Sequence, residues 1–224
     1  MSATPRSLIP ADERLRITEV FYSLQGEADT AGIPTVFIRL TGCPLRCQYC
    51  DTEYAFRGGE WRSLADLMEA TAAYGATHVC VTGGEPLAQP NCGRLLQRLC
   101  EAGYRVSLET SGALDARGLD PRVVRVLDVK TPGSGEAARN FLPNLASLQP
   151  HDLVKFVLCG REDYDWARAF IAEHRLAGRC QLLFSPSWEQ LEPRLLAEWI
   201  LADRLPVRLQ LQLHKLLWGN EAGR

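Results

Sequence analysis

The sequence lacks the long apolar runs and the excess of positive charge that would place it in a membrane or on a nucleic acid. No segment of its 224 residues approaches the roughly 18 consecutive apolar residues of a transmembrane helix. The first residues, Met1 to Arg6, contain no apolar stretch of signal-peptide length. Lys and Arg number 25 against 27 Asp and Glu, whereas nucleic-acid surfaces need a clustered basic excess. We therefore expect a cytoplasmic protein with a small-molecule substrate, and neither a nucleic-acid nor a membrane partner.

Disulfide bonds are not expected either, although the chain has eight cysteines. A chain of this length without an export signal stays in a reducing compartment, so its thiols are free. Four cysteines lie in or beside apolar runs, where free cysteine packs as a small apolar side chain: Cys80, Cys100, Cys159 and Cys180. Cys92 has no partner at metal-ligand spacing and is predicted to be inert.

The composition, with 46% hydrophobic and 23% charged residues, predicts a single domain over 1–224. Short β-rich runs alternate with amphipathic stretches, which predicts an α/β fold with a mainly parallel sheet. The predicted strands are 35–40, 78–82, 105–109, 125–129, 153–158, 181–184 and 207–212, and the predicted helices are 64–73, 94–102, 164–174 and 194–202. Periodicity does not separate an open sheet from a barrel. We interpret the glycine- and proline-containing segment 131–139 as a lid, with a plain surface loop as the alternative.

The remaining cysteines, Cys43, Cys47 and Cys50, form a C-x3-C-x2-C motif. It offers three thiolates where most metal sites need four. A four-iron cluster held by three cysteines leaves one iron open to an outside ligand, which indicates chemistry at the cluster. A zinc knuckle completed by a distant ligand, or a chance group of thiols, is the alternative.

Several polar motifs follow or lie in predicted strands, and the loops of parallel α/β folds converge on ligands at the strand ends. The run Gly83-Gly84-Glu85-Pro86 would let a backbone edge approach a ligand closely, or would form a plain turn. Arg39 would bind a carboxylate ligand or pair with a buried acid. Thr52, taken alone, would be a solvated loop residue or a helix cap. We expect all of these motifs at one mouth of the sheet.

The cysteine motif and the later Gly-Gly-Glu-Pro run together resemble the radical S-adenosylmethionine (SAM) superfamily. Further blocks narrow the resemblance to the 7-carboxy-7-deazaguanine synthases: Ser23-Leu24-Gln25-Gly26-Glu27, Phe37-Ile38-Arg39-Leu40-Thr41-Gly42-Cys43, Cys50-Asp51-Thr52, Glu109-Thr110-Ser111-Gly112 and Gln212-Leu213-His214-Lys215. They occur in order over nearly the whole chain. The resemblance implies an incomplete (β/α) barrel of the radical SAM type, with reactants at the carboxyl ends of the strands.

The resemblance also implies a reaction. It is the conversion of 6-carboxy-5,6,7,8-tetrahydropterin to 7-carboxy-7-deazaguanine with release of ammonia, a step toward queuosine in tRNA. The implied cofactors are a 4Fe-4S cluster, SAM and Mg2+. A deoxyadenosyl radical takes a hydrogen atom from C6 of the pterin, the ring contracts, and the hydrogen returns to regenerate SAM, so that SAM is used catalytically. A flavodoxin-type electron donor and a homodimer are the implied partners.

Residue by residue, the resemblance assigns the cluster to Cys43, Cys47 and Cys50, in a cluster loop at 42–57, and Mg2+ to Thr52. The implied substrate contacts are Leu24, Gln25, Gly26, Arg39, Thr110 and His214. The implied SAM contacts are Tyr49, Cys50, Asp51, Gly83, Gly84, Glu85, Gly112, Asp128, Val129, Lys130, Ser185, Pro186, Ser187 and Trp188. The chain departs from the family at 128–130, where relatives often have Ser-Pro-Lys, and at 185–188, where many have Gln-Pro. It also continues after His214 in a C-terminal extension, 216–224.

Two other functions stay open at this point. A glycyl-radical activating enzyme would share the three cysteines and the glycine-rich turn but would act on a large protein partner. The strip Leu24-Gln25-Gly26, together with Thr52 and segment 212–214, favours a pterin instead. A non-catalytic zinc or cluster module would bind metal without cleaving SAM.

Overall fold

The computed structural model describes residues 13–221 and 223, and in this part of the chain strands and helices alternate. The strands are β1 (Arg14–Leu24), β2 (Pro34–Leu40), β3 (Glu60–Ser63), β4 (His78–Gly83), β5 (Arg105–Thr110), β6 (Val124–Asp128), β7 (Leu153–Leu158), β8 (Gln181–Pro186) and β9 (Arg208–Leu209). The helices are α1 (Leu64–Ala72), α2 (Cys92–Glu101), α3 (Pro143–Ala146), α4 (Arg161–Glu173), α5 (Pro193–Asp203) and α6 (Leu213–Trp218). Within these described residues, no helix is long and apolar enough to cross a membrane.

All nine of these strands belong to one sheet, in the order β3-β1-β2-β4-β5-β6-β7-β8-β9. Neighbouring strands are parallel from β2 to β9, whereas β1 is antiparallel to both β2 and β3. The strands β3 and β9 lie at opposite ends of the order, so the sheet is not closed. The predicted α/β class, the mainly parallel sheet and the incomplete barrel are confirmed.

The seven predicted strands and four predicted helices are all present, with shifted ends. The largest shift concerns the last strand, which is only Arg208–Leu209, because Gln212 already caps the start of α6. The prediction missed β1, where Arg16 and Glu19 interrupt the apolar residues. This strand is stabilised by its antiparallel pairing on both sides, which a search for buried parallel strands does not detect.

The two faces of the sheet carry different side chains, because side chains alternate along each strand. On the outer face, one apolar cluster packs β1, β2, β4 and β5 against α1 and α2, and a second packs β6, β7 and β8 against α4 and α5. On the inner face, Val126, Leu153 and Leu183 form a smaller apolar layer. Two residues further along their strands, Asp128 and Lys155 lie on the same inner face, above this layer.

The segment 131–139 packs against the cluster loop. Ser134 is fully buried, and its carbonyl accepts the backbone N–H of Gln48 at 3.1 Å. The carboxylate of Glu136 accepts the backbone N–H of Arg46 at 2.6 Å. Both donors belong to the loop that carries the three cysteines. We therefore describe this segment as a brace for the cluster loop rather than as a lid.

Candidate active site

One cavity opens at the carboxyl ends of the parallel strands and gathers most of the residues that the sequence singled out. Its walls come from the cluster loop, from the ends of β1, β2 and β4 to β7, and from the segments after β8 and β9. The predicted site residues along it are Leu24, Gln25, Gly26, Arg39, Cys43, Cys47, Tyr49, Cys50, Asp51, Thr52, Gly83, Gly84, Thr110, Asp128, Lys130, Ser187, Trp188 and His214.

The three motif cysteines share one side of this cavity and are half-buried thiols. Burial raises the pKa of Cys47 to about 11, against the opposing effect of the Lys130 ammonium. Burial also raises the pKa of Cys43 and of Cys50. These thiols are therefore protonated at neutral pH until a metal displaces the protons.

The three cysteines do not form a site for a single metal ion. Among residues 13–221 and 223, no group of three or more Cys, His, Asp or Glu side chains is arranged to hold one metal ion. A cubane cluster does not need such a site, because each coordinated iron takes its own thiolate. The three motif thiols along one cavity fit a cluster with an open iron.

The glycine-rich turn after β4 packs directly against the start of the cluster loop. The backbone N–H of Glu85 donates to the carbonyl of Gly42 at 2.7 Å. A Cβ atom on Gly84 would meet the Gly42 carbonyl and lie 2.8 Å from Cβ of Cys43. A Cβ on Gly83 would likewise meet the backbone of β2. Both glycines are therefore required by close packing between protein backbones, in addition to any approach of a ligand.

Glu85 itself is fully buried and does not line the cavity. Its carboxylate accepts the backbone N–H of Leu87 at 2.9 Å, the backbone N–H of Ser111 at 2.7 Å and the hydroxyl of Thr110 at 3.0 Å. The side chain has these protein partners already, so any contact of Glu85 with SAM would have to come through its backbone, and that assignment stays a prediction. Glu85 instead ties the turn after β4 to the end of β5.

Arg39 lies in the cavity wall as predicted, but an acid is bound to one side of its guanidinium. Its Nε donates to Glu19 at 2.7 Å, and the hydroxyl of Tyr54 donates to the same oxygen at 2.8 Å. The guanidinium carbon lies 5.8 Å from the ring centres of both Tyr54 and Phe21. Glu19 and the two rings hold the guanidinium in place and leave its two terminal nitrogens as the candidates for binding a carboxylate.

The strip after β1 packs directly against the start of α6, beside the cavity. Gln25 is almost fully buried, and its Nε2 has no hydrogen-bond partner among the described residues. The carbonyl of Gly26 accepts the backbone N–H of Leu213 at 2.9 Å, and a Cβ on Gly26 would overlap the His214 ring. Burial lowers the pKa of His214, with Glu27 opposing it, so this imidazole is neutral at pH 7. An unpartnered amide beside a neutral imidazole offers hydrogen bonds to a polar, uncharged ring.

The cluster loop is also tied to α6 by an ion pair that the sequence did not reveal. Lys215 Nζ lies 2.7 Å from Asp51, and the Thr52 hydroxyl donates to the other oxygen of Asp51 at 2.8 Å. Burial disfavours the charged carboxylate, but Lys215, Thr52 and His214 outweigh it and lower the pKa of Asp51 to about 2. The contribution of this pair to the free energy of unfolding is therefore fully present above pH 3.8, the usual pKa of an aspartate carboxyl group. It is lost as the pH falls toward 2.

Replacing Lys215 with methionine should loosen α6 from the cluster loop. Asp51 is 41% exposed, so we expect a loss of about 1 kcal/mol of stability at pH 7, at the upper end for exposed ion pairs. Hydrogen exchange of the backbone amides of 213–218 measures the local effect. The variant Lys215→Arg keeps the charge and is the control. Equal exchange in the two variants would argue against the ion pair as the link.

A layer of charged side chains on the inner face was the main feature missed from the sequence. Lys155 Nζ lies 2.7 Å from Glu27, 3.5 Å from Glu109 and 3.6 Å from Asp128, and Lys130 lies 3.1 Å from Asp128. These side chains are only 9–17% exposed. A lysine within the apolar run 153–158 was the signal available in the sequence, since a buried lysine needs a buried acid as its partner.

Comparison with known proteins agrees with this geometry. The pattern of the radical SAM superfamily matches residues 37–130, which include the three cysteines and the glycine-rich turn. A protein of Chlorobaculum tepidum named 7-carboxy-7-deazaguanine synthase is 47% identical over 211 residues, which cover 93% of this chain and 96% of that relative. A protein of the same name from Koribacter versatilis is 40% identical over 222 residues, covering 92% and 98%. The chain belongs to the 7-carboxy-7-deazaguanine synthase family.

A solved structure supports the same assignment. QueE from Escherichia coli has a TM-score of 0.73 with this chain at 26% sequence identity, over 90% of this chain and 95% of that structure. As a member of the 7-carboxy-7-deazaguanine synthase family, the protein is a radical SAM enzyme, and the family implies a 4Fe-4S cluster and SAM. Neither the glycyl-radical activating enzyme nor the non-catalytic metal module is favoured.

Within this family assignment, four other predicted SAM contacts lie outside the cavity wall: Gly112, Val129, Ser185 and Pro186. Val129 packs in the outer apolar cluster beneath α4, and Ser185 and Pro186 are buried at the end of β8. Their neighbours Lys130, Ser187 and Trp188 do line the cavity. Any contact from the four residues has to come through their backbone groups, and their assignment stays a prediction.

The C-terminal extension was predicted over 216–224, and its described residues after α6, 219–221 and 223, lie along the cavity. Gly219, Asn220, Glu221 and Gly223 line the opening. The departure from the 7-carboxy-7-deazaguanine synthase pattern after His214 therefore falls at the active-site mouth.

Proposed function

We propose that this protein converts 6-carboxy-5,6,7,8-tetrahydropterin to 7-carboxy-7-deazaguanine with release of ammonia, a step that feeds queuosine modification of tRNA. The observation that carries the proposal is the single cavity in which the three cysteines, Thr52, Arg39 and the Gln25 strip meet. A glycyl-radical activator would need an opening for a protein segment but has no use for this set of small-molecule contacts.

Cys43, Cys47 and Cys50 would hold the cluster, and the backbone edge at Gly83-Gly84 would receive the methionine part of SAM. When bound, these cofactors would supply the chemistry of hydrogen abstraction at C6 of the pterin. The task of the protein is to place that carbon beside the radical and to exclude other reactions. The packing of the glycine-rich turn against Gly42 and Cys43 supports this role, since it fixes the SAM edge relative to the cysteines.

Two groups of side chains along the cavity would bind the two ends of the substrate. The terminal nitrogens of Arg39 suit the 6-carboxylate, because a guanidinium fork binds a carboxylate through two parallel hydrogen bonds. The buried, unpartnered Nε2 of Gln25 and the neutral imidazole of His214 suit the polar edge of the pterin. Leu24, Gly26 and Thr110 also line the cavity and complete the predicted substrate contacts.

Thr52 would hold Mg2+ between the protein and the substrate carboxylate. Its hydroxyl donates to Asp51 and keeps lone pairs for a cation, and magnesium accepts few protein ligands when substrate oxygens complete its shell. Asp51 is ionised and adds negative charge next to the hydroxyl. Magnesium would then fix the orientation of the carboxylate and of C6.

We expect Thr52→Ala to slow turnover and to remove the stimulation by Mg2+, while SAM cleavage persists. The loss should be at least about 10-fold, because removing even a residue that only supports a metal ligand typically costs roughly 10- to 100-fold. Thr52→Ser keeps the hydroxyl and is the matched control. Rates measured over a magnesium titration test this, and an equal magnesium dependence in parent and alanine variant would rule the assignment out.

The partners are also part of the proposal. A homodimer, a flavodoxin-type electron donor and a cytoplasmic location follow from the family resemblance and from the free thiols. Light scattering of the purified protein tests the dimer. Reduction of the cluster by flavodoxin, followed by product formation, tests the donor.

The decisive experiment is an anaerobic assay of the iron-reconstituted protein with SAM, reductant, Mg2+ and 6-carboxytetrahydropterin. Mass spectrometry measures the deazaguanine and the remaining SAM. Deazaguanine without matching loss of SAM is the expected result. SAM cleavage without deazaguanine would keep the radical chemistry and discard the substrate, and neither product would contradict the whole proposal.

A further inference from the structure

The buried charged groups on the inner face include one more acid than base. Three carboxylates, Glu27, Glu109 and Asp128, surround two ammonium groups, Lys155 and Lys130. A buried cluster with one surplus negative charge is costly, and the usual response is that one acid keeps its proton.

Of the three acids, Glu109 makes the weakest contact with the lysines. Lys155 binds Glu27 at 2.7 Å but lies 3.5 Å from Glu109, and Lys130 pairs with Asp128. Burial raises the pKa of Glu109 to about 7. The Lys155 ammonium opposes this increase, and the carboxylates of Glu27 and Asp128 add to it. The neighbouring thiol of Cys80 on β4 is neutral, because burial raises its pKa to about 12.

The position of Glu109 gives it access to a ligand. It lines the cavity from the end of β5, the middle strand of the sheet, next to the predicted substrate contact Thr110. Its Oε1 has no hydrogen-bond partner among the described residues. The Nε2 of Gln25, buried in the same cavity, is also unpartnered. Two unpartnered polar groups in one cavity point to a ligand that satisfies both.

The proposed reaction needs an acid at this place. Substrate and product differ by one molecule of ammonia, so the conversion requires no outside oxidant or reductant. A carbon–nitrogen bond breaks with its electron pair leaving on nitrogen, and the nitrogen takes up a proton. A ring carbon then loses a proton as the five-membered ring becomes aromatic.

We propose that Glu109 is a catalytic acid that protonates the nitrogen leaving as ammonia, with Lys155 as its positioning residue. The carboxylate left behind takes up the proton from the ring carbon, which restores the acid for the next cycle. This inference rests on the proposed function and adds a step to it. Glu109 belongs to one of the sequence motifs but was given no role there, and Lys155 belongs to none of them.

Glu109→Gln tests the inference, because glutamine keeps the shape and cannot act as an acid. We expect deazaguanine formation to fall about 100-fold, the lower range for loss of general acid catalysis, while SAM cleavage persists and calorimetry gives an unchanged substrate Kd. In the parent, kcat/KM should fall as the pH rises through about 7. This decrease, the alkaline limb of the pH profile, should be absent in the variant. Glu109→Asp, which keeps an acid, should retain the limb.

The control is Glu101→Gln, the same change at an exposed position of α2, and it should leave every quantity at the parent level. Parent-level turnover in Glu109→Gln would overturn the inference. So would a loss of turnover matched by an equal loss of substrate affinity, since Glu109 would then only bind.

A second measurement separates this inference from the proposed function. Infrared difference spectra of parent and Glu109→Gln at pH 6 should differ by the carbonyl stretch of one protonated carboxyl group, whatever the substrate. Without that band the inference fails, even if the parent makes deazaguanine. With the band but no deazaguanine from the parent, the proposed function fails and Glu109 is not its catalytic acid.

Discussion

Cys47→Ala should contain no iron–sulfur cluster after reconstitution and should not cleave SAM. The three motif thiols share one side of the cavity, and a cluster with one open iron has only these three protein ligands. Burial keeps the free thiol of Cys47 protonated, so its deprotonation is coupled to metal binding and a neutral side chain cannot replace it. Iron and sulfide analysis per chain measures the loss directly.

The matched control for this variant is Cys159→Ala. Cys159 Sγ lies 3.4 Å from Nε2 of Gln48, immediately beside Cys47 in the chain, but it does not belong to the motif. We expect this variant to keep parent levels of iron and sulfide. If Cys47→Ala keeps the parent level of iron instead, the three-cysteine assignment is wrong.

Gly84→Ala should lower both stability and cluster content, which is the second large effect. The added Cβ would meet the Gly42 carbonyl and lie 2.8 Å from Cβ of Cys43, and neither neighbour is the end of a flexible side chain. Overpacking at such a place costs about 1–3 kcal/mol. The strain falls on the first cysteine of the cluster loop, so reconstitution with iron should also be incomplete.

Thermal unfolding of the cluster-free protein and iron analysis after reconstitution test the two effects of Gly84→Ala. Gly93→Ala is the matched control, because a Cβ there would lie 3.6 Å from Leu119 Cδ2, an ordinary contact, and because alanine favours the helix α2. Gly93→Ala should be at least as stable as the parent. Equal unfolding temperatures for the two alanine variants would contradict the packing argument.

The sequence was sufficient for those features that depend on local pattern. Apolar runs at regular spacing predicted the seven parallel strands, because buried parallel strands read as continuous apolar segments. Most of the motif residues line one cavity, as expected from the convergence of loops after parallel strands, whereas Glu85, Gly112, Val129, Ser185 and Pro186 do not. The strand β1 was missed because it is half exposed and antiparallel, and its charged residues hide the pattern.

Contacts between distant parts of the chain could not be derived in the same way. Glu85 was interpreted as a ligand contact, but its partners Thr110 and Ser111 follow 25 and 26 residues later. The pair between Lys215 and Asp51 spans most of the chain. Arg39 was open to both interpretations in the sequence, and the structure gives it a protein partner, Glu19, as well as a place in the cavity wall.

The burial of Glu85 limits how this scaffold can be diversified. Its carboxylate joins the turn of the Gly-Gly-Glu-Pro motif to Thr110 and Ser111 at the end of the next strand. The turn after β4, which is expected to bind SAM, and the segment after β5, which is expected to bind the substrate, are therefore joined through one buried hydrogen-bond network. A designer who grafts a new specificity loop after β5 has to carry over the partners of Glu85, or the graft will leave an unpaired buried charge beside the cluster loop.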